Sequence, residues 1–336
     1  MRTRGKVGIG CLVIVLAIVG VGAFMWFNRE PRPIVVAEAG TGGERVMLGD
    51  VPANFFPGAG DGPRPAILLL GGSEGGLKES RNVFARQLAA EGYSVLYPGY
   101  TATSEANRAF NMVPLETFDA ALDWLVANPD IAEGPVAALG HSKGAEGALL
   151  LASRDPRIGP VIAAMPSDVV WQGFSFDQID MSDLKSSWSA GGKPVPYARY
   201  EMLAWHEWFT GATMLDMFEG SRAAADGNSA SMIAIGKVGG PVLLICGEKD
   251  DLWPRCDMGR NLRERAAAVG KSNVELLAYN EAGHWGFGAA TDLHESDTRL
   301  LGRMGGTVEA DMAARADQWP KILAFLAKAR ETRLAE

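Results

Sequence analysis

An α/β fold, doubly wound around a mostly parallel sheet and carrying a cap insertion, is what this sequence predicts, with one transmembrane helix ahead of it. Three observations predict it. Apolar runs of strand length alternate with helical patterns along the body of the chain, an aromatic-rich stretch breaks that alternation once, and an uncharged apolar segment occupies the N-terminus. With 47% hydrophobic and 21% charged residues, the 336-residue chain has the composition of a globular protein large enough for a sizeable core. A formal net charge of −8 argues against the clustered basic surface of a nucleic-acid binder.

Residues 7–27, VGIGCLVIVLAIVGVGAFMWF, carry no charge and follow Arg2, Arg4 and Lys6. About 20 apolar residues cross a bilayer core as a helix, and Trp26 and Phe27 fall where an interfacial aromatic belt lies. Positive charge ahead of the segment predicts a cytoplasmic N-terminus and a body on the periplasmic or extracellular side, held to the membrane by this helix. A cleaved signal peptide is the rival reading, with Val21-Gly22-Ala23 as its small-residue site, and would make the protein secreted. The apolar run continues past that site, which favours an uncleaved anchor. Cys11 lies inside the segment, where a lipid-modified cysteine should follow the apolar stretch. Residues 1–30 are therefore an anchor or signal, 31–44 a proline-bearing linker, and 45–334 the body.

Within the body, residues 66–72, 93–100, 135–140, 160–166, 241–247 and 274–279 are continuous apolar runs, as expected of parallel strands buried on both faces. Helical patterns neighbour them in ESRNVFARQLAAEG, LETFDAALDWLVANP, NLRERAAAVG and QWPKILAFLAKAR. The insertion, about residues 170–235, gathers Trp171, Phe174, Phe176, Trp188, Tyr197, Tyr200, Trp205, Trp208 and Phe209. Two readings fit it: a cap over a pocket, or a helical hairpin packed on the flank of the sheet. Trp171, Trp188, Trp253 and Trp285 are the pocket residues the first reading proposes. Cys246 and Cys256 are close enough in sequence for a disulfide in an exported domain, and equally readable as two buried thiols. No zinc-like cysteine or histidine spacing occurs, so no metal and no cofactor is expected.

Gly140-His141-Ser142-Lys143-Gly144 is a G-x-S-x-G between a β-like run and a helical one. Such a strand-to-helix turn is too tight for side chains at its flanks, and it projects the serine from the strand end. Ser142 is thus the candidate nucleophile. Its neighbour His141 is a poor base, because it points into the fold or along the sheet, and His141→Ala is not expected to cost activity. In α/β-hydrolases the chain order is serine, acid, histidine, which leaves His206, His284 and His294. His206 lies in the insertion and His294 in a polar loop; His284 follows the last strand and is the candidate base. The acid should follow the preceding strand, in LLICGEKDDLWP, where Asp250 fits the turn and Asp251 reads as a surface carboxylate. Ser142 would attack an acyl carbon, His284 take its proton, and Asp250 fix the imidazole. One oxyanion donor is the Lys143 backbone amide; the second is the amide of Ser73 or Glu74 in the glycine loop LLLGGSEGGL. The Lys143 side chain is given no role.

Taken together, LLLGGSEGGLKE, GHSKGAE, SDVVWQG, SSWSAGGKPVPY, LLICGEKDDLWPRC, AGHW and GGTVEADMAARADQWPKILAFL resemble the C-terminal catalytic domain shared by acyl-CoA thioester hydrolases and bile-acid-CoA:amino-acid N-acyltransferases. The resemblance spans roughly residues 45–330 and implies an α/β-hydrolase with Ser142, Asp250 and His284 as nucleophile, acid and base. Animal members carry a β-sandwich domain before the catalytic one, and the roughly forty residues between the apolar segment and the first core strand here are expected to be too few for it. Amino-acid-transferring members use cysteine as nucleophile, so the serine implies hydrolysis. Dienelactone-hydrolase-like relatives act on small esters and lactones. The expected partner is a small acyl ester or thioester; an acyltransferase and a non-catalytic anchored binding protein are the competing readings. No nucleic-acid partner is expected, and the oligomeric state is open.

Overall fold

The computed structural model describes residues 30–177, 181–204, 206–207, 210–226 and 229–334. The expected membrane segment, and Trp205, Trp208 and Phe209 of the insertion, lie outside these residues. No helix among the described residues is long and apolar enough to cross a membrane.

From Ile34 onward the chain forms one compact unit. Its centre is an eight-stranded sheet in the order β1-β2-β4-β3-β6-β7-β10-β11. The strands are β1 (Glu44–Leu48), β2 (Val51–Phe56), β3 (Ala66–Leu70), β4 (Ser94–Pro98), β6 (Val136–His141), β7 (Ile158–Ala164), β10 (Val242–Gly247) and β11 (Val274–Tyr279). From β4 to β11 all neighbours are parallel, and the six apolar runs of the sequence supply these strands. The antiparallel pairs β1–β2 and β2–β4 were not legible as apolar runs. At the edge, β1 buries only Leu48, and Pro52 interrupts the apolar pattern of β2.

Both faces of the sheet are covered. On β3, Leu68 and Leu70 enter a core with Phe118 and Leu122 of helix α2 (Glu116–Ala127), Leu149 of α3 (Lys143–Ala152) and Leu262 of α5 (Asp257–Ala268). Ile67 and Leu69 enter the opposite core with Phe84 and Leu88 of α1 (Glu79–Ala90) and Ile322 and Phe325 of α7 (Val308–Leu334). The alternation follows from the two-residue period of a strand, and each fully buried Leu or Phe contributes roughly 1.5–3 kcal/mol. Helix α7 starts ten residues before the apolar pattern that predicts it, because its first turns bury polar residues: Asp311 and Arg315 have no exposed surface.

The stretch read as a linker, 31–44, makes backbone hydrogen bonds to the body. Ala37 N–H donates to Leu77 O and Leu77 N–H to Val35 O, so this stretch pairs with the end of the glycine loop. Among its described residues the insertion forms no helical hairpin. It contributes β8 (Trp188–Ala190) and β9 (Lys193–Pro194), which join β5 (Val113–Pro114) in a small sheet, and helix α4 (Met214–Ala225). Helix α3 lies between the main sheet and this insertion and is buried on every side. Its small residues permit that approach: a Cβ on Gly147 would fall 2.8 Å from the Trp188 ring.

Candidate active site

Loops after the carboxyl ends of β3, β6, β10 and β11 carry Ser73, Glu74, Ser142, Asp250 and His284, as expected where ligands bind in α/β sheets, while Trp171 and Trp188 come from the insertion. Between β6 and α3, Ser142 has φ 57° and ψ −120°, a conformation that a non-glycine residue pays for. The chain is pinned there from both sides: Ser142 N–H donates to Ala164 O of β7, while Ser142 O accepts from Ala145 and Glu146 N–H. A Cβ on Gly140 would meet Gly144 O at 2.1 Å, and one on Gly144 would meet Gly71 O and Leu70 O at 2.4 Å. Those distances explain both glycines of the motif. They also press the glycine loop against the elbow.

In the loop after β10, Asp250 is buried and both its oxygens are committed. Oδ1 accepts from the Leu252 and Trp253 amides at 2.8 and 3.1 Å, and Oδ2 lies 2.7 Å from His284 Nδ1. Asp251 is exposed. The pairing with a carboxylate puts the His284 proton on Nδ1 and leaves Nε2 as the basic nitrogen. The disulfide Cys246–Cys256 ties the end of β10 to the start of α5 and so closes the loop that holds Asp250. His294 caps the short helix α6 (Glu295–Thr298), its Nδ1 2.8 Å from Ser296 Oγ, and His206 is exposed.

A residue absent from the sequence reading, Asp311 of α7, braces the His284 loop. Its Oδ1 accepts from Gly283 N–H at 2.8 Å and its Oδ2 from Gly302 N–H at 2.9 Å. The only sequence signal was a carboxylate at the head of an amphipathic helix.

In the glycine loop, Gly75 and Gly76 have φ 58° and 66°, a left-handed pair that turns the chain over. Ser73 and Glu74 sit partly buried before this pair. Glu74 was singled out for its amide, but its carboxylate is equally engaged: Oε1 lies 2.9 Å from Arg81 Nε. Burial raises the Glu74 pKa, and the Arg81 charge and hydrogen bond, with the Gly72 amide, more than offset this and leave it below the ordinary value.

Lys143 also has a side-chain role, contrary to expectation. Its Nζ lies 2.5 Å from Glu146 Oε2, and Glu146 Oε1 accepts from Trp171 N–H at 3.0 Å and Trp188 Nε1–H at 2.8 Å. This buried pair fastens the insertion to α3, the helix that follows Ser142. Burial pushes the Lys143 pKa down and the Glu146 pKa up, each partly countered by the other.

The four tryptophans proposed for a pocket separate. Trp188 and Trp171 have no exposed surface. Trp188 packs as core on Phe110, Tyr100 and Phe118, a placement its Glu146 hydrogen bond permits. Trp171 packs on Tyr200, Phe218 and Trp253. Trp253 and Trp285 border His284, with ring centroids 6.1 and 5.8 Å away. Among the described residues no group of three or more histidine, cysteine or carboxylate side chains is placed to hold a metal.

Comparison with known proteins agrees with this architecture. The chain is 26% identical over 289 residues to the peroxisomal succinyl-coenzyme A thioesterase of Mus musculus, covering 84% of this chain and 64% of that protein. It is 27% identical over 290 residues to the acyl-coenzyme A amino acid N-acyltransferase 2 of the same species, covering 85% and 65%. This chain thus spans just under two thirds of the curated relatives it matches. Among solved structures, a puromycin-hydrolyzing peptidase of Mycobacterium tuberculosis matches with TM-score 0.55 and 15% identity over 85% of this chain and 39% of that one. A dienelactone hydrolase-like promiscuous phosphotriesterase from metagenomic libraries matches with TM-score 0.50 and 17% identity over 85% and 97%. These structural likenesses show an α/β-hydrolase-like fold. The family model described as BAAT / acyl-CoA thioester hydrolase C terminal matches residues 113–332, and the chain belongs to that family.

Proposed function

We propose that this protein is a serine hydrolase that cleaves an acyl ester or acyl thioester through an acyl-enzyme on Ser142. The observation that carries the reading is Ser142 held at positive φ on a glycine-flanked elbow, in a fold whose next loops pair Asp250 with His284 at 2.7 Å. Ser142 Oγ attacks the acyl carbon as His284 Nε2 takes its proton. Asp250 steadies the imidazolium, which then protonates the leaving alcohol or thiol, and water attacks the acyl-enzyme by the same route in reverse. The developing oxyanion is met by the Lys143 amide, at a helix start whose first N–H groups have no partner within the helix, and by the Ser73 or Glu74 amide. Trp285, partly exposed beside His284, supplies an apolar wall for the acyl part, and Trp253, buried with Trp171, backs the imidazole.

The names of the relatives support a thioester substrate. The apolar segment 7–27 and the Cys246–Cys256 disulfide support a membrane-anchored body outside the cytoplasm, since disulfides persist in oxidising compartments. Turnover of p-nitrophenyl esters beside acyl-CoAs of graded chain length, by wild type and Ser142→Ala, tests the reading. Hydrolysis of either class that vanishes in Ser142→Ala is the expected result; turnover of neither class overturns it.

A further inference from the structure

His141, passed over as a base, is buried with both ring nitrogens engaged. Arg81 Nη2 lies 3.0 Å from Nδ1. A guanidinium only donates, so Nδ1 is the unprotonated nitrogen and the ring hydrogen sits on Nε2. That hydrogen is donated to the carbonyl oxygen of His284, 2.9 Å away. Burial, then the Arg81 charge and the nearby His284, holds the His141 pKa well below that of an ordinary imidazole, so the ring stays neutral. Arg81 is itself fixed by Glu74. One chain of hydrogen bonds therefore runs from the glycine loop after β3, through α1, to the residue before the nucleophile, and on to the backbone of the base.

We propose that His141 is a positioning residue: its Nε2–H, oriented by Arg81 and Glu74, anchors the main chain at His284 so that the imidazole meets Ser142. The inference rests on reading Ser142 and His284 as nucleophile and base. Asp311, Arg315 and Gln318 hold the flanking Gly283 N–H, Trp285 O and Gly286 O, but at His284 itself the N–H makes a long 3.3 Å bond to Met304 O, Asp250 holds only the ring, and the carbonyl is held by His141. A displacement of about 1 Å in a reacting group costs on the order of 100-fold in rate. The chain also couples the oxyanion side of the site to the base, so the two halves of the machinery are set against each other through one imidazole.

The test compares His141→Gln with His141→Phe in the full chain, reading kcat and KM for p-nitrophenyl ester hydrolysis and the rate of fluorophosphonate labelling. Glutamine places an amide N–H near the position of Nε2 and keeps the donor to His284 O. Phenylalanine keeps the ring and its stacking on Phe287, whose centroid lies 5.8 Å away with planes 12° apart, but has no donor. Positioning predicts that His141→Gln loses no more than about threefold in kcat, while His141→Phe loses roughly 10- to 100-fold with KM unchanged. Packing alone predicts the reverse order, and His141→Phe matching or exceeding His141→Gln overturns the proposal. Should His141→Phe not fold, His141→Asn serves instead: its shorter amide cannot reach His284 O, so it must fall in kcat where His141→Gln does not. Ser142→Ala and His284→Ala run in parallel. Full activity in His284→Ala would fail the reading of the base, whereas inactive controls with the reversed His141 order fail the positioning proposal alone.

Discussion

Replacing Glu146 with glutamine removes one charge from a buried pair while keeping the volume and an acceptor for the Trp171 and Trp188 N–H groups. The amide then faces the Lys143 ammonium, whose side chain is only 3% exposed, with no counter-charge. Breaking a buried pair on one side costs about 3–5 kcal/mol. Part of that cost is avoided if Lys143 deprotonates, a direction burial already favours. In the variant the folded-state lysine pKa lies further below its unfolded value, so the unfolded chain binds more protons and stability rises with pH. The deficit of Glu146→Gln must therefore shrink between the depressed folded pKa and the ordinary lysine pKa of about 10.4, by at most about 1.4 kcal/mol per pH unit. Urea unfolding at pH 7 and pH 9.5 reads this directly. The double variant Lys143→Met/Glu146→Gln, with no buried charge, should recover most of the loss. A Glu146→Gln cost under about 0.5 kcal/mol at pH 7, or a double variant no better than the sum of its singles, refutes the account of this pair.

Gly144→Ala would drive a Cβ into two backbone carbonyls 2.4 Å away, so it should abolish fluorophosphonate labelling even where circular dichroism remains native. Asp250→Asn should lower kcat about 10³- to 10⁴-fold, while Asp251→Asn, on an exposed side chain, should stay within about twofold of wild type by the same assay. Mutating Cys246 and Cys256 to alanine removes a short closed loop worth roughly 3 kcal/mol in the chain-entropy model, a loss visible as a lower urea midpoint. Because that loop carries Asp250, kcat should fall with it.

The parallel strands were legible because strands buried on both faces are written as unbroken apolar runs, and the elbow because its glycines answer to contacts that leave no room for a Cβ. The loops of Asp250 and His284 were picked out by strand positions and the α/β-hydrolase chain order, and the structure pairs the two side chains at 2.7 Å. The polar scaffolding could not. Arg81, Asp311 and Glu146 act through partners 60, 28 and 42 residues away, and nothing in a helical pattern distinguishes a carboxylate facing water from one buried against an indole N–H. The aromatic count of the insertion misled for a related reason. Tryptophan suits a pocket wall and a packed core equally well, and only its neighbours decide: Trp188 is wholly enclosed by packed aromatic rings, whereas Trp285 stays partly exposed beside His284. The same holds for Lys143, whose place beside Ser142 drew attention to its amide and away from a side chain that anchors the insertion.

The most direct test of the central claim is the site of covalent modification. The full chain is treated with excess fluorophosphonate and the adduct mapped by mass spectrometry of its peptides. A single adduct on Ser142, lost in Ser142→Ala and strongly slowed in His284→Ala, is the predicted result. An adduct on another residue, or one that persists in Ser142→Ala, would contradict it.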